Sequence, residues 1–309
     1  MKNLVLYHKN CFDGFCAGYA ARKFLGDEAE YYPIQYGGIK SIDDIHKLGD
    51  LKRNVYIFDF SFSKEIMDYI ISESTSFTWL DHHKTAFEMW CGMDYDINTP
   101  YVEIVENKSI ILDNNKSGAL ITWEYFHPND DVPLFIKYAD DGDRWQFKLE
   151  GTKAFTKAIW SYAPWSFEQF NSWFNTDVLK SQLNIYHDFL VEGDAILRAH
   201  NANVQSVIKG ASRVCHIPVT MFGDEKVLVG MSANCPPHLQ SDVGHELAIM
   251  SEDGFGLLWT INKDNLCICS LRSIADVDVS AIAKLFGGGG HHTASGFTIH
   301  IKELLNWIR

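Results

Sequence analysis

The stretch Phe77-Thr78-Trp79-Leu80-Asp81-His82-His83-Lys84 runs from a continuous apolar segment into three adjacent side chains that can bind metal, carry protons or orient one another. A short apolar run of this kind is the pattern of a strand buried on both faces. In open α/β sheets, ligands bind beyond the carboxyl ends of the strands. The chemistry is therefore expected at the top of a sheet. Two more strand-like runs end in the same way: Leu4-Val5-Leu6-Tyr7 leads into His8, with Asp13-Gly14 shortly after, and Val55-Tyr56-Ile57-Phe58 leads into Asp59. Three strand ends delivering His and Asp together are hard to explain as packing alone.

The chain has 309 residues, of which 46% are hydrophobic and 22% charged, as in ordinary soluble globular proteins, and its length allows two domains. No apolar run approaches the roughly 20 residues needed to span a bilayer, and the N-terminal apolar run is too short for a signal segment. A cytoplasmic protein with no membrane partner is expected. The cysteines Cys11, Cys16, Cys91, Cys215, Cys235, Cys267 and Cys269 are odd in number and scattered, which does not describe a disulfide framework. Cys267 and Cys269 alternate along a strand-like run and are expected to share one face of a sheet. The formal charge of −13 disfavours long nucleic acid, which is normally met by a basic stripe. A small phosphorylated substrate remains compatible, because bound cations supply positive charge locally.

After His8, the segment 14–25 carries small and apolar residues at helical spacing and stops at Gly26. Strands are expected at 29–36 and 55–60, then a helix near 64–72 that Ser61 or Ser63 could cap. Alternating strands and helices imply a parallel sheet covered on both faces. From Ser117 to about Trp173 the pattern is mostly helical. Trp160, Trp165 and Trp173 lie among Phe155, Phe167, Phe170 and Phe174, which favours helix packing over a base-stacking surface. Residues 177–207 have few helix breakers and read as a long helix joining two domains. Strands at 218–222, 226–231, 256–261 and 266–271, with a helix around 243–250, make the C-terminal part a smaller mixed α/β domain. It ends in Gly287-Gly288-Gly289-Gly290-His291-His292. The boundaries expected are 1–176, 177–209 and 210–309.

His8, Asp13, Asp59, Asp81, His82, His83, Asp141 and Asp143 offer oxygen and imidazole ligands, which suit Mn²⁺, Mg²⁺ or Fe²⁺ better than a structural zinc. Several carboxylates at one sheet edge repel one another unless cations intervene. Two divalent ions about 3.5–4 Å apart are a known device for activating water and clamping a phosphoryl group. Asp81-His82-His83 resembles the motif that names the DHH phosphoesterase superfamily. His8-x-x-Cys11-x-Asp13-Gly14 is similar to that family's first motif, Asp59 to its second, and Ala139-Asp140-Asp141-Gly142-Asp143 to its fourth. Ser270-Leu271-Arg272-Ser273, with Phe286 to His291 and Ala294-Ser295-Gly296-Phe297, resembles the signature of the DHHA1 domain. The likeness runs from Leu4 to Phe297.

The resemblance implies a parallel-sheet N-terminal DHH domain joined by a long helix to a smaller mixed α/β DHHA1 domain. It also implies a dinuclear, usually Mn²⁺, centre held by His8, Asp13, Asp59, His82 and Asp141, with Asp59 bridging. Asp141 is preferred over Asp140 and Asp143 because the family pattern places the ligand just before the turn. Asp81 and His83 are expected in or beside this shell with catalytic roles, since metal-binding imidazoles need an orienting partner. Cys11 departs from the family, many of whose members carry Asp there, and a thiolate is softer than Mn²⁺ prefers. In the second domain, Arg272 offers a fork that fits phosphate in bidentate fashion. Gly288, Gly289 and Gly290 let backbone approach an anion closely, and His291 completes the expected substrate group. The implied activity is metal-dependent hydrolysis of short 5′-phosphorylated oligonucleotides, above all dinucleotides such as pGpG. Cyclic dinucleotides, nucleoside bisphosphates and polyphosphate are the alternatives within the family. Other readings are a non-catalytic nucleotide sensor and a tRNA-linked module. A homodimer is left open.

Overall fold

The computed structural model describes residues 2–35, 37–174, 179–221, 224–274 and 277–308. The chain divides into two compact units, Met1–Leu197 and Arg198–Arg309, and the division falls within one long helix.

The first unit runs β1 (Asn3–His8), α1 (Phe12–Leu25), β2 (Ala29–Ile34), α2 (Ile42–His46), β3 (Asn54–Phe58), α3 (Lys64–Glu73), β4 (Ser76–Asp81) and α4 (Lys84–Cys91). A hairpin of β5 (Tyr101–Val105) and β6 (Lys108–Leu112) follows, and then the helices α5 (Gly118–Phe126), α6 (Leu134–Asp143), α7 (Thr152–Ser161), α8 (Phe167–Phe174) and α9 (Leu179–Ala211). The strand order is β2-β1-β3-β4-β6-β5, parallel except for β5, which is antiparallel to β6. β5 is the open edge, and the sequence does not announce this hairpin. Pro33 is tolerated in β2 because β2 is the other edge, where a missing N–H removes no interior ladder bond.

The central strands are apolar on both faces because both faces are covered. Val5, Phe58 and Leu80 pack with Phe15, Ala119, Phe135, Phe155 and Phe170 on one side. Leu4, Leu6, Ile57 and Trp79 pack with Ile66, Met67, Ile70 and Phe87 on the other. Trp165 and Trp173 pack against the first of these cores, as helix packing requires, and Trp165 Nε1 donates to the Ile159 carbonyl at 2.8 Å. Trp160 stays largely exposed and meets Trp165 edge-on.

Register fixes the site. Tyr7 pairs with Phe58, and Phe58 with Leu80, so the next residue on each strand, His8, Asp59 and Asp81, falls in one row at the carboxyl edge. The strand order reverses beside β1, with β2 on one flank and β3 on the other, which is the topological position where α/β sheets open a crevice.

The second unit holds β7 (Arg213–Met221), β8 (Asp224–Asn234), α10 (Gln240–Met250), β9 (Phe255–Ile261), β10 (Leu266–Ser273), α11 (Val279–Leu285), β11 (Gly289–Gly290), β12 (Ala294–His300) and α12 (Ile301–Trp307). Its sheet order is β11-β12-β10-β9-β8-β7, mixed through the parallel β8–β9 pair. α10 covers one face with Val243 and Leu247. α11 and α12 cover the other with Ile282, Leu304 and Trp307. Cys267 and Cys269 are both buried on β10 while Ile268 between them is exposed, so the two cysteines do share the core face. Residues 36, 177, 178 and 222 of the expected elements lie outside the described residues.

Candidate metal centre

β3 stops because Asp59 turns into left-handed backbone, with φ 60°. That conformation is uncommon for a residue other than glycine and costs on the order of 1–3 kcal/mol unless its surroundings hold it. The hold here is close packing by two glycines. A methyl group added at Gly118 would lie 2.6 Å from Asp59 Cβ, and one at Gly14 would lie 2.4 Å from the His8 carbonyl oxygen and 3.0 Å from Asp59 Oδ2. Gly118 accepts no side chain while Asp59 stays where it is, and Gly14 accepts none while His8 does.

The Asp59 carboxylate is 1% exposed and joins two groups of ligand atoms. His8, Asp59 and His83 form one, and Asp13, Asp59 and His82 form the other, the atoms of each lying within 4.8 Å of one another. His8 Nδ1 is 3.3 Å from Asp59 Oδ2, and His82 Nε2 is 3.1 Å from Asp59 Oδ1. His82 Nε2 also faces Asp143 Oδ2 at 3.5 Å and Asp13 Oδ2 at 3.7 Å. Asp59 Oδ1 and Asp81 Oδ2 are buried without a hydrogen-bond partner among the described residues. Buried carboxylate oxygens left so are costly unless a cation completes them. Hard oxygen and imidazole donors around a shared carboxylate fit one divalent ion in each group.

Supporting bonds hold the remaining side chains. Asp13 accepts from the Gly118 and Ala119 amides, at 2.7 and 3.0 Å, at the start of α5. Asp81 Oδ1 accepts from the His82 and His83 amides and meets His83 Nδ1 at 2.7 Å. One carboxylate oxygen thus shapes the turn after β4 and orients the His83 ring.

The fourth-motif residue at this site is Asp143, in place of the expected Asp141. α6 continues through Asp143, so no turn follows Asp141 directly. Asp140 and Asp143, three residues apart, share a helix face. Asp140 accepts from the Ser117 amide and Asp143 faces His82. Asp141 points elsewhere: its carboxylate accepts from the Lys148 amide at 2.8 Å, the Leu149 amide at 3.1 Å and the Thr152 hydroxyl at 2.5 Å. The i, i+3 spacing was the available signal for Asp143. Gly118, which the sequence did not single out, had none. Cys11 belongs to neither ligand group, and burial together with Asp59, Asp143 and Asp13 pushes its thiol well up.

Electrostatics follow from crowding. Burial and the neighbouring Asp59 and Asp143 raise Asp13 well above the carboxylate range, and burial with Asp59 raises Asp143. Burial also opposes ionisation of Asp59, yet His8 and His82 outweigh it and hold that carboxyl well below its ordinary value. Burial disfavours the His82 cation, but Asp59, Asp143 and Asp13 prevail and lift it to about 10. Without metal, a proton on His82 serves as the cation of this cluster.

In the second unit, Arg272 is half-buried. Its guanidinium donates to Ser270 Oγ at 2.7 Å, the Leu271 carbonyl at 2.8 Å and Ser241 Oγ at 3.1 Å, and burial pulls its pKa down to about 10. Arg272 pairs with Ala294, whose carbonyl accepts the His291 amide, so the two expected residues meet at one sheet end. The glycines have a packing reason of their own. β11 pairs with β12, and a methyl at Gly288 would lie 2.0 Å from the Gly296 carbonyl.

The sequence matches no family model. It is 28% identical over 312 residues to an uncharacterized protein of Acanthamoeba polyphaga mimivirus, covering 95% of this chain and 66% of that protein. The chain thus spans about two thirds of that relative's length. The structure resembles the DHH domain of a member of the s1p family of ribosomal proteins, with a TM-score of 0.56 at 13% identity over 99% of this chain and 85% of the other. The chain has the fold of the DHH-domain proteins. RecJ of Thermus thermophilus in complex with Mn²⁺ is a further likeness, with a TM-score of 0.50 at 10% identity over 99% of this chain and 50% of RecJ. A two-domain arrangement of DHH and DHHA1 type agrees with the two sheets described above. Among the described residues no helix is long and apolar enough to cross a membrane.

Two predictions follow from this packing and charge. Gly118→Ala is expected to displace Asp59 and weaken Mn²⁺ binding at least about tenfold. Gly210→Ala on α9, where a methyl meets nothing within 4 Å, is expected to be neutral or mildly stabilising, by up to about 1 kcal/mol. Equilibrium dialysis and denaturant unfolding of the two variants make the comparison. The second prediction concerns metal-free stability. His82 stabilises the fold below its unfolded pKa of about 6.5, and this contribution is lost as pH rises through about 10. The raised Asp13 and Asp143 act in the same sense from their unfolded value of about 3.9 upward. Asp59, lowered, acts in the opposite sense and loses its contribution only on acidification. The melting temperature of chelator-treated protein should therefore fall between about pH 6.5 and 10, and saturating Mn²⁺ should flatten that fall. A chelated protein whose melting point did not move over this range would contradict the account.

Proposed function

We propose that this chain is a metal-dependent phosphodiesterase that hydrolyses short 5′-phosphorylated oligonucleotides, most simply dinucleotides such as pGpG. The carrying observation is that Asp59 is common to both ligand groups, the arrangement a pair of divalent ions requires. His8, Asp59 and His83 would hold one ion, and Asp13, Asp59 and His82 the other, with Asp143 beside His82. When bound, such ions lower the pKa of water and neutralise charge developing on phosphoryl oxygens. Mn²⁺ suits the donor set, as do Mg²⁺ and Fe²⁺.

The chain's own residues supply placement and proton control. Gly14 and Gly118 leave the room in which the Asp59 carboxylate stands. Asp81 fixes the His83 ring through Nδ1 at 2.7 Å, and its charge keeps the ring basic against the effect of burial. With Nδ1 taken by Asp81, the other ring nitrogen can serve the ion or, in place of that, orient the scissile phosphate or return a proton to the leaving oxygen, but not both. In the second unit, a half-buried guanidinium that donates to Ser270 Oγ, the Leu271 carbonyl and Ser241 Oγ, with His291 at the same sheet end, supports binding of a terminal phosphate. The charge of −13 supports short substrates over long nucleic acid. The nucleotide-sensor reading is disfavoured because Cys11, the departure that suggested it, lies outside both ligand groups.

Mn²⁺-loaded protein is expected to cleave pGpG and pApA to mononucleotides, with rates falling as chains lengthen and with cyclic dinucleotides, nucleoside bisphosphates and polyphosphate cut more slowly, as followed by chromatography. Asp59→Asn and His82→Ala should lose at least about a hundredfold in rate, and Asp81→Asn about tenfold to a hundredfold. Rates unchanged in Asp59→Asn would remove the site from consideration.

A further inference from the structure

Asp141 sits in the fourth motif and yet takes no part in the metal cluster, which leaves its buried carboxylate to be explained by what it does hold. It fastens the segment 144–149. Besides the three bonds to its carboxylate, its carbonyl accepts from the Gln146 amide at 2.9 Å and the Phe147 amide at 3.3 Å. Inside this clasp two aromatic residues adopt left-handed backbone, Trp145 with φ 55° and Phe147 with φ 49°. Bulky side chains rarely accept that conformation, and it persists only where the surroundings dictate it. The segment is therefore built to present something. It presents Trp145, 38% exposed, with the Phe147 ring at 4.8 Å in an edge contact and Lys153 Nζ 4.5 Å over Phe147.

Position gives this platform its meaning. Trp145 follows Asp143 by two residues, so their Cα atoms are at most about 7 Å apart by chain geometry. Asp143 faces His82 in the cluster. An exposed indole two residues along the chain from Asp143, with Lys148 and Lys153 exposed nearby in a chain of charge −13, has the composition of a nucleic-acid stacking surface: an aromatic face for the base and cations for the backbone.

We propose that Trp145, clasped by Asp141 and backed by Phe147, is a stacking platform for the nucleobase of the nucleotide next to the scissile phosphate. The platform tolerates every base, because each offers a π face. It rests on the phosphodiesterase reading above, and Asp141 serves it as a positioning residue.

The test uses the full chain with Mn²⁺ and two substrates: a 5′-phosphorylated dinucleotide, and the same molecule with abasic sugars in place of both nucleosides. Trp145→Ala is expected to raise KM for the dinucleotide about tenfold or more, roughly 1.4 kcal/mol of lost stacking, with kcat changed far less. KM for the abasic substrate should not move, and Trp145→Phe should recover most of the loss. Asp141→Asn should raise the dinucleotide KM in step with Trp145→Ala while Mn²⁺ affinity by equilibrium dialysis stays at the wild-type value. Trp145→Leu, which keeps apolar bulk without a π face, replaces the alanine variant if that variant fails to fold. Equal KM in wild type and Trp145→Ala, with the dinucleotide cleaved by both, would overturn the platform and leave the phosphodiesterase reading standing. If wild type cleaves neither substrate, dialysis of a mononucleotide decides. Binding weakened about tenfold in Trp145→Ala would uphold the platform while the phosphodiesterase reading fails, and equal or absent binding would overturn both.

Discussion

Everything at the carboxyl edge of the first sheet depends on one buried carboxylate, Asp59, whose charge is met in the metal-free protein by two histidines. Asp59 sits between His8 and His82, at 3.3 and 3.1 Å, with its backbone turned into left-handed space. Gly14 and Gly118 are small so that Asp59 can stand there. Asp13 and Asp143 bring further negative charge to the same place, and the response in the metal-free protein is a His82 proton held to about 10. A cluster that binds a proton this firmly against burial is one prepared for cations.

The fold serves this constraint through register. Parallel pairing aligns His8, Asp59 and Asp81 at equal height, and α1, α5 and α6 bring in Asp13, the Gly118 amide and Asp143 from one side of the sheet. Aromatic packing beneath, from Phe15, Phe135, Phe155 and Phe170, gives those helices fixed seats on the sheet. Precise placement is what the proposed hydrolysis at phosphorus would ask of the protein, since most of that chemistry is positioning and electrostatics.

Much of this was legible in the sequence because it is written in short-range patterns. Apolar runs ending in His or Asp gave the strands and the site edge, and Asp81-His82-His83 with the first-motif residues gave the centre of the cluster. What escaped depended on three-dimensional closeness. Gly118 matters only because Asp59, distant in the chain, comes within van der Waals distance of it. Asp141 and Asp143 differ by two residues but by the side of the helix they occupy, and only the extension of α6 through Asp143 decides between them. The β5–β6 hairpin was missed because its strands are short and β5, at the edge, is apolar on exposed positions such as Val102 and Ile104. The glycine run near the C-terminus was read for anion binding, whereas the close pairing of β11 with β12 is sufficient reason for Gly288.

The most direct measurement is the number and coupling of Mn²⁺ ions per chain, by metal analysis after equilibrium dialysis and by electron paramagnetic resonance. Two ions per chain with a spin-coupled signal, reduced to one uncoupled ion or none in Asp59→Asn, is the result a shared Asp59 carboxylate predicts. A single uncoupled ion in the wild type, bound equally well by Asp59→Asn, would contradict it.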